Sequence, residues 1–133
     1  MFGLILYHNL NSDNMKKKLL ILIFIFSVLI LNNSFAQTIS AGGIHSLASC
    51  SDSTVRAWGY NNDGQLGNGN NTDSNLPVQV SALSGITAIA GGSSHSLALK
   101  NDGTVRAWGR NDVGQLGNGT NTNSNVPVQV SAL

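Results

Sequence analysis

Residues 39–83 recur almost letter for letter as residues 89–133, fifty positions downstream and without a gap. Of the 45 aligned pairs, 31 are identical, and each copy carries A-W-G-x-N-x-x-G-Q-L-G-N-G, at 57–69 and again at 107–119. A repeat of this length is one supersecondary unit used twice. Such units stack, because none can bury its apolar faces alone.

Within the second copy, HSLALKNDGTVRAWG reads as strand, turn, strand. His95, Leu97 and Leu99 alternate with Ser96, Ala98 and Lys100, the period of two of a half-buried strand. Asn101, Asp102 and Gly103 accept the positive φ that a hairpin turn requires. The first copy has Ser53 in place of Gly103 and Ser49 in place of Leu99, so its turn is expected to be weaker. Beyond each tryptophan, Gly64, Gly67 and Gly69 (and Gly114, Gly117 and Gly119) surround one large apolar residue, Leu66 or Leu116. Glycine at that density implies sharp turns, with the leucine pegging the loop to the core. Residues 70–75 and 121–125 read as polar surface loops. Pro77 and Pro127 open short strands at a first or edge position, where no amide donor is needed. Residues 86–90 supply a further strand, with a counterpart around Ile39. Four short strands in fifty residues, joined by tight turns, describe a propeller blade, so the expected class is all-β.

The front of the chain is different. Lys16, Lys17 and Lys18 precede an uncharged apolar run at 19–31, and Ser34 and Ala36 follow as small residues two apart. These are the three parts of a secretory signal peptide, with cleavage expected after Ala36. Thirteen apolar residues suit a signal core, whereas a membrane span needs about 20. A membrane anchor is therefore expected only if the segment stays uncleaved. The signal pattern begins at Met15, so residues 1–14, His8 among them, read as an upstream extension or a misplaced start. The expected organisation is a helical signal at 15–36, one blade at 37–83 and a second at 84–133.

From Gln37 onward, four basic residues stand against five acidic ones, a net charge of −1 that leaves no electrostatic footprint for nucleic acid. The single cysteine, Cys50, permits no internal disulfide, and Lys100 takes its place in the second copy. Glutamate is absent, which removes the calcium-loop glutamate and the H-E-x-x-H zinc motif. His45-Ser46 and His95-Ser96, with Asp52 and Asp102 nearby, have the residue types of nucleophile machinery. Neighbours on a strand point to opposite faces, however, and a set recurring in each copy is a framework device. The histidines are expected to make structural hydrogen bonds within their blades rather than to bind metal. Trp58 and Trp108 are expected to pack between blades rather than to form a ligand platform. The glycine-rich loop at 64–69 lacks the lysine of a phosphate loop, and the Asn/Asp clusters at 61–63 and 70–75 read as solvated turns. No cofactor, metal or catalytic residue is expected.

The combination G-x-x-H-S-L-A, D-G-T-V-x-A-W-G and G-Q-L-G-N-G resembles the regulator of chromosome condensation repeat over nearly all of 37–133. The double glycines, Gly42-Gly43 and Gly91-Gly92, fall in different registers, unlike those of kelch repeats. The resemblance implies blades of a normally seven-bladed β-propeller. The family includes a nuclear exchange factor for a small GTPase, a secreted β-lactamase-inhibiting protein and many exported bacterial proteins. Framework residues match at His45, Trp58, Gly59, Gly64, Gln65, Leu66 and Gly67, and fifty on at His95, Trp108, Gly109, Gly114, Gln115, Leu116 and Gly117. No segment matches an exchange loop.

Closed propellers have about four to eight blades, so two repeats imply an incomplete ring. A gene fragment is the first expectation, and self-association through uncovered blade faces the second. The expected function is an exported, non-enzymatic scaffold, secreted, periplasmic or at the cell surface, acting on a protein partner. The alternatives are a regulator of enzyme activity, by nucleotide exchange or hydrolase inhibition, and accessory blades of a larger secreted enzyme.

Overall fold

A computed structural model describes residues 13–30 and 35–133. The chain divides into two compact units, Met1–Ser34 and Phe35–Leu133. In the first, helix α1 (Asp13–Ile30) carries the three lysines in its early turns and the apolar run behind them. Among the described residues no helix is long and apolar enough to cross a membrane. Most of the expected upstream extension, residues 1–12, lies outside the described residues, as does the stretch 31–34 before the expected cleavage point.

The second unit is all-β. Strands β1 (Ala36–Ala41), β2 (His45–Cys50), β3 (Val55–Gly59) and β4 (Ser74–Gln79) form one sheet. Strands β5 (Ile86–Gly91), β6 (His95–Lys100), β7 (Val105–Gly109) and β8 (Ser124–Gln129) form another. Each sheet is an antiparallel meander in chain order. The registers copy one another: Leu47 pairs with Ala57 as Leu97 pairs with Ala107, and Ser46 with Trp58 as Ser96 with Trp108. These are the two four-stranded blades that the repeat implies.

The last strand of each blade starts three residues before the expected proline, at Ser74 and Ser124, so the polar loops are shorter than their composition suggests. Pro77 and Pro127 therefore sit inside edge strands. They are tolerated because the ladder breaks register beside them, between Ala57 and Gly59 and between Ala107 and Gly109. At such a break a missing amide donor costs no ladder bond.

Strand alternation turns Leu47, Val55 and Ala57 of the first blade toward Ile86, Ala98 and Trp108 of the second. Leu66, Val80 and Leu83 complete this cluster. The core is thus the seam between two sheets, and neither blade contains one of its own. Helical or sheet propensity alone would not hold it together; most of the stabilisation comes from apolar area that each sheet removes from water on the other.

The β2–β3 turn is kept in both copies by one device. The Asp102 carboxylate accepts from the Thr104 amide at 3.0 Å and its hydroxyl at 2.6 Å, while Gly103 adopts φ +82°. Asp52 holds Thr54 in the same way, at 3.1 and 2.6 Å, but Ser53 must take φ +60°. A left-handed non-glycine residue costs about 1–2 kcal/mol, partly offset by the smaller entropy loss relative to glycine. Ser53→Gly is expected to raise stability by about 0.5–1 kcal/mol in chemical denaturation, with Gly103→Ser lowering it by a similar amount.

Candidate functional site

The polar centre of the molecule lies in the seam between the blades. The Gln65 main-chain carbonyl of the first blade accepts two bonds from the second. One comes from Trp108 Nε1 at 2.9 Å and the other from the Ser96 hydroxyl, also at 2.9 Å. Because Ser96 spends its proton on that carbonyl, its oxygen is left to accept from His45 Nε2 at 2.8 Å. His45, Ser96, Gln65 and Trp108 are all buried. The four residues form one chain of bonds from blade to blade, in a setting where an unmade bond is costly.

Local sequence sets each member. Ser96 is paired with Trp108 across β6 and β7, so both point to the same side of the sheet. Gly67 (φ +64°) lies under the indole, where a Cβ would come within 2.7 Å of Nε1. Gly42 plays the same part for His45, since a Cβ there would stand 2.2 Å from the ring. Gly64 (φ +83°) lets its loop approach the Asn125 main chain, which an added Cβ would meet at 2.5 Å. Gly59 (φ +109°) does so against Ile44 and His45. Leu66 is fully buried beneath the loop, as is Leu116 in the second blade.

The matching residues fifty positions away are placed differently. Trp58 and Ser46 lie half-buried on the outward face of the first blade, and His95 and Gln115 half-buried on that of the second. Gly109 (φ +103°) approaches Gln65, whereas Gly114 (φ +81°) and Gly117 (φ +59°) have looser surroundings. The structure therefore brings together His45, Gln65, Gly67 and Trp108, and leaves their counterparts on the two outer faces. The histidine bond expected within a blade instead crosses between blades, because its acceptor belongs to the next copy.

Three contributors are not evident from the sequence. Ser96 faces away from its neighbour His95, and its partner is His45, one repeat away. Asn61, in a cluster whose composition reads as a solvated turn, and its counterpart Asn111 are fully buried. The Asn61 side chain donates to the carbonyls of Asn70 and Thr72 at 2.9 and 3.0 Å and accepts from the Leu66 amide at 2.8 Å. Asn111 repeats this with Thr120, Thr122 and Leu116. The recurrence of asparagine at this one loop position was the available signal.

Chemically, the array stabilises the seam. Its serine donates to a carbonyl and is not set up as a nucleophile, and no carboxylate orients the histidine. Among the described residues no group of three His, Cys, Asp or Glu side chains could hold a metal ion. Cys50 is buried and free. Burial, and secondarily the nearby His95, hold His45 below its ordinary value of 6.5. Its Nδ1 has no hydrogen-bond partner, so a second proton would enter a dry site with no acceptor.

Unfolded protein thus binds a proton at His45 more readily than folded protein does. Stability is expected to be level above pH 6.5, to fall as pH drops below it, and to level again under the folded-state value. In thermal melts between pH 8 and pH 5, His45→Gln should flatten that fall. Trp108→Phe, which removes one donor to Gln65, should cost about 2 kcal/mol. Trp58→Phe, at the same repeat position on an outer face, should stay within about 0.5 kcal/mol of wild type.

Two family models described as the regulator of chromosome condensation (RCC1) repeat match this chain. One covers residues 52–99 and 102–133, the other residues 36–65 and 86–115. The ultraviolet-B receptor UVR8 of Arabidopsis thaliana is 50% identical over 50 residues, covering 38% of this chain and 11% of the receptor. The structure resembles Prp20p of Saccharomyces cerevisiae at a TM-score of 0.69 and 22% identity, over 76% of this chain and 26% of that one. It resembles human WBSCR16 at 0.65 and 27%, over 73% and 26%. The chain therefore spans about a quarter of these solved proteins and about a tenth of the receptor. The chain belongs to the RCC1 repeat family, and its two blades are β-propeller blades of that kind.

Proposed function

We propose that the chain is an exported, non-enzymatic propeller module that works by binding protein. The observation carrying this reading is how the repeat uses its reactive side chains. His45, Ser96 and Trp108 are committed to the seam around the Gln65 carbonyl, and the loops of a rigid blade pair are left as the recognition surface. Prp20p, which shares the fold, binds Gsp1p and histones, and Kap60 has been solved bound to it. Protein recognition on such blades is therefore a consistent use of the architecture.

Export is supported by the basic, apolar and small-residue order before Gln37. Cleavage after Ala36 is compatible with the fold. It would remove the Phe35–Ser51 bonds and the Ala36–Cys50 pair, but leave β1 paired with β2 from Thr38 to Ala41. The second reading, regulation of an enzyme by exchange or inhibition, draws on the same family membership and needs a loop that this chain does not match.

The readings separate in three measurements. Mass determination of culture-supernatant protein should give a chain starting at Gln37; retention of residues 15–36 would refute processing. The purified chain should leave nucleotide release from small GTPases unchanged, and acceleration would favour the second reading. It should turn over no ester, amide or phosphate substrate. Turnover that follows the folded chain through purification and is lost on its unfolding would overturn the non-enzymatic assignment.

A further inference from the structure

We propose that the chain associates with a second copy of itself head to tail, the outer face of the second blade receiving the outer face of the first blade of the next copy. This goes beyond the loop-binding reading and requires neither export nor a foreign partner. It rests on continuity with the seam already described. That seam joins a donor face (Ile89, Ser96, Trp108) to an acceptor face (His45, Leu47, Val55, Gln65). Fifty positions away the same residues stand on the outer faces: Ile39, Ser46 and Trp58 on one, and His95, Leu97, Val105 and Gln115 on the other.

Burial shows what these faces lack. Leu47 and Val55 are fully buried in the seam, while Leu97 and Val105 are only partly covered and line an apolar hollow of about 240 Å³. Trp108 is fully buried and Trp58 is not. Ile89 packs on the core, while Ile39 is 79% exposed. A second hollow, of about 320 Å³, lies beside His95 and Gln115. By the fifty-residue correspondence, Ser46 and Trp58 of the next copy would arrive there and donate to the Gln115 carbonyl. One of the two side-chain bonds that clasp the loops can also be repeated; the other, Asn123 to Asp63, would meet Asp73 and Val113 instead. Asn125 donates to Asn71 across the seam at 2.8 Å, and Asn75 can reach Asn121 of the next copy in the same way.

Several positions make the junction between copies looser than the one within the chain. In the internal seam, a Cβ on Gly43 would stand 2.7 Å from the Ser93 carbonyl oxygen, and one on Gly91 would stand 2.7 Å from the Gly42 nitrogen. The corresponding residues on the outer faces are Ser93 and Ala41, which carry that Cβ. The Ser40 hydroxyl that accepts from the Gly91 amide is also replaced by Ala90. The junction between copies must therefore open slightly at this end, which makes the association reversible. Being heterologous, it can continue from copy to copy until a ring closes.

The test uses the full chain with Cys50→Ser, in two separately purified pools, one carrying Asn75→Cys and the other Asn121→Cys. A short bis-maleimide linker is applied to the mixed pools and to each pool alone. The proposal expects a covalent dimer from the mixture and little from either pool alone. That dimer should disappear when Leu97→Glu is added to the Asn121→Cys pool. Leu97 lies on an outer face, so the variant is expected to keep its fold, which circular dichroism checks. Ser93→Gly, which removes the obstructing Cβ, should raise dimer yield several-fold and so tests the idea without weakening the fold. Equal yields from like and unlike pools would show association through some other surface and overturn the proposal. So would the absence of unlike-pool product at every concentration that stays in solution.

Discussion

The structure depends on one shared acceptor. The Gln65 carbonyl takes protons from the indole and the hydroxyl of the neighbouring blade, and around that point the sheets close over Leu47, Val55, Ala98 and Trp108. Area removed from water supplies most of the attraction, but it is non-directional and would allow one sheet to slide over the other. The bonds to Gln65, extended to His45, fix the offset. A displacement of one residue would leave a buried indole N–H and a buried carbonyl unmet, a cost comparable to a sizeable part of a small domain's stability.

That arrangement explains which parts of the fold were legible in the sequence. Strand alternation and the fifty-residue period gave the blades, since each follows from side-chain direction along a single element. The Trp-Gly and Gly-Gln-Leu-Gly strings marked the seam because a large ring against a glycine-bearing loop leaves a compositional trace. The partners across the seam were not legible. Adjacent His95 and Ser96 invited a pairing that their strand forbids, while His45 and Ser96, the pair that forms, are 51 positions apart. Nothing local in the sequence encodes a bond whose acceptor lies in the next repeat.

The buried asparagines are hidden in the sequence for a different reason. Asn61 and Asn111 sit among glycines and other amides, and composition there signals solvent. Burial is imposed by the loop itself, which folds over the side chain so that its amide replaces water for the carbonyls of residues 70 and 72 and the amide of Leu66. A polar residue placed in this way lets a long connection between β3 and β4 hold a fixed shape with only one leucine in the core. The early start of β4 follows, because the loop is spent sooner than its polarity suggests.

Comparison of the copies shows where the chain has been free to change. All 14 differing positions lie in 40–53 or 60–76, and none is a residue that bonds across the Gln65 centre. One pair shows the consequence. At the rim of the first blade Asn62 donates to the Tyr60 hydroxyl at 2.6 Å; at the same place on the second, Arg110 is paired with Asp112. The two-residue spacing and the underlying loop are unchanged, yet a neutral aromatic pair has become an ionic one. The next residue is Asp63 in one blade and an exposed valine, Val113, in the other. The residues bonded at the Gln65 centre are thus kept while the rim differs from blade to blade, so a repeated architecture can present distinct chemistry on its loops.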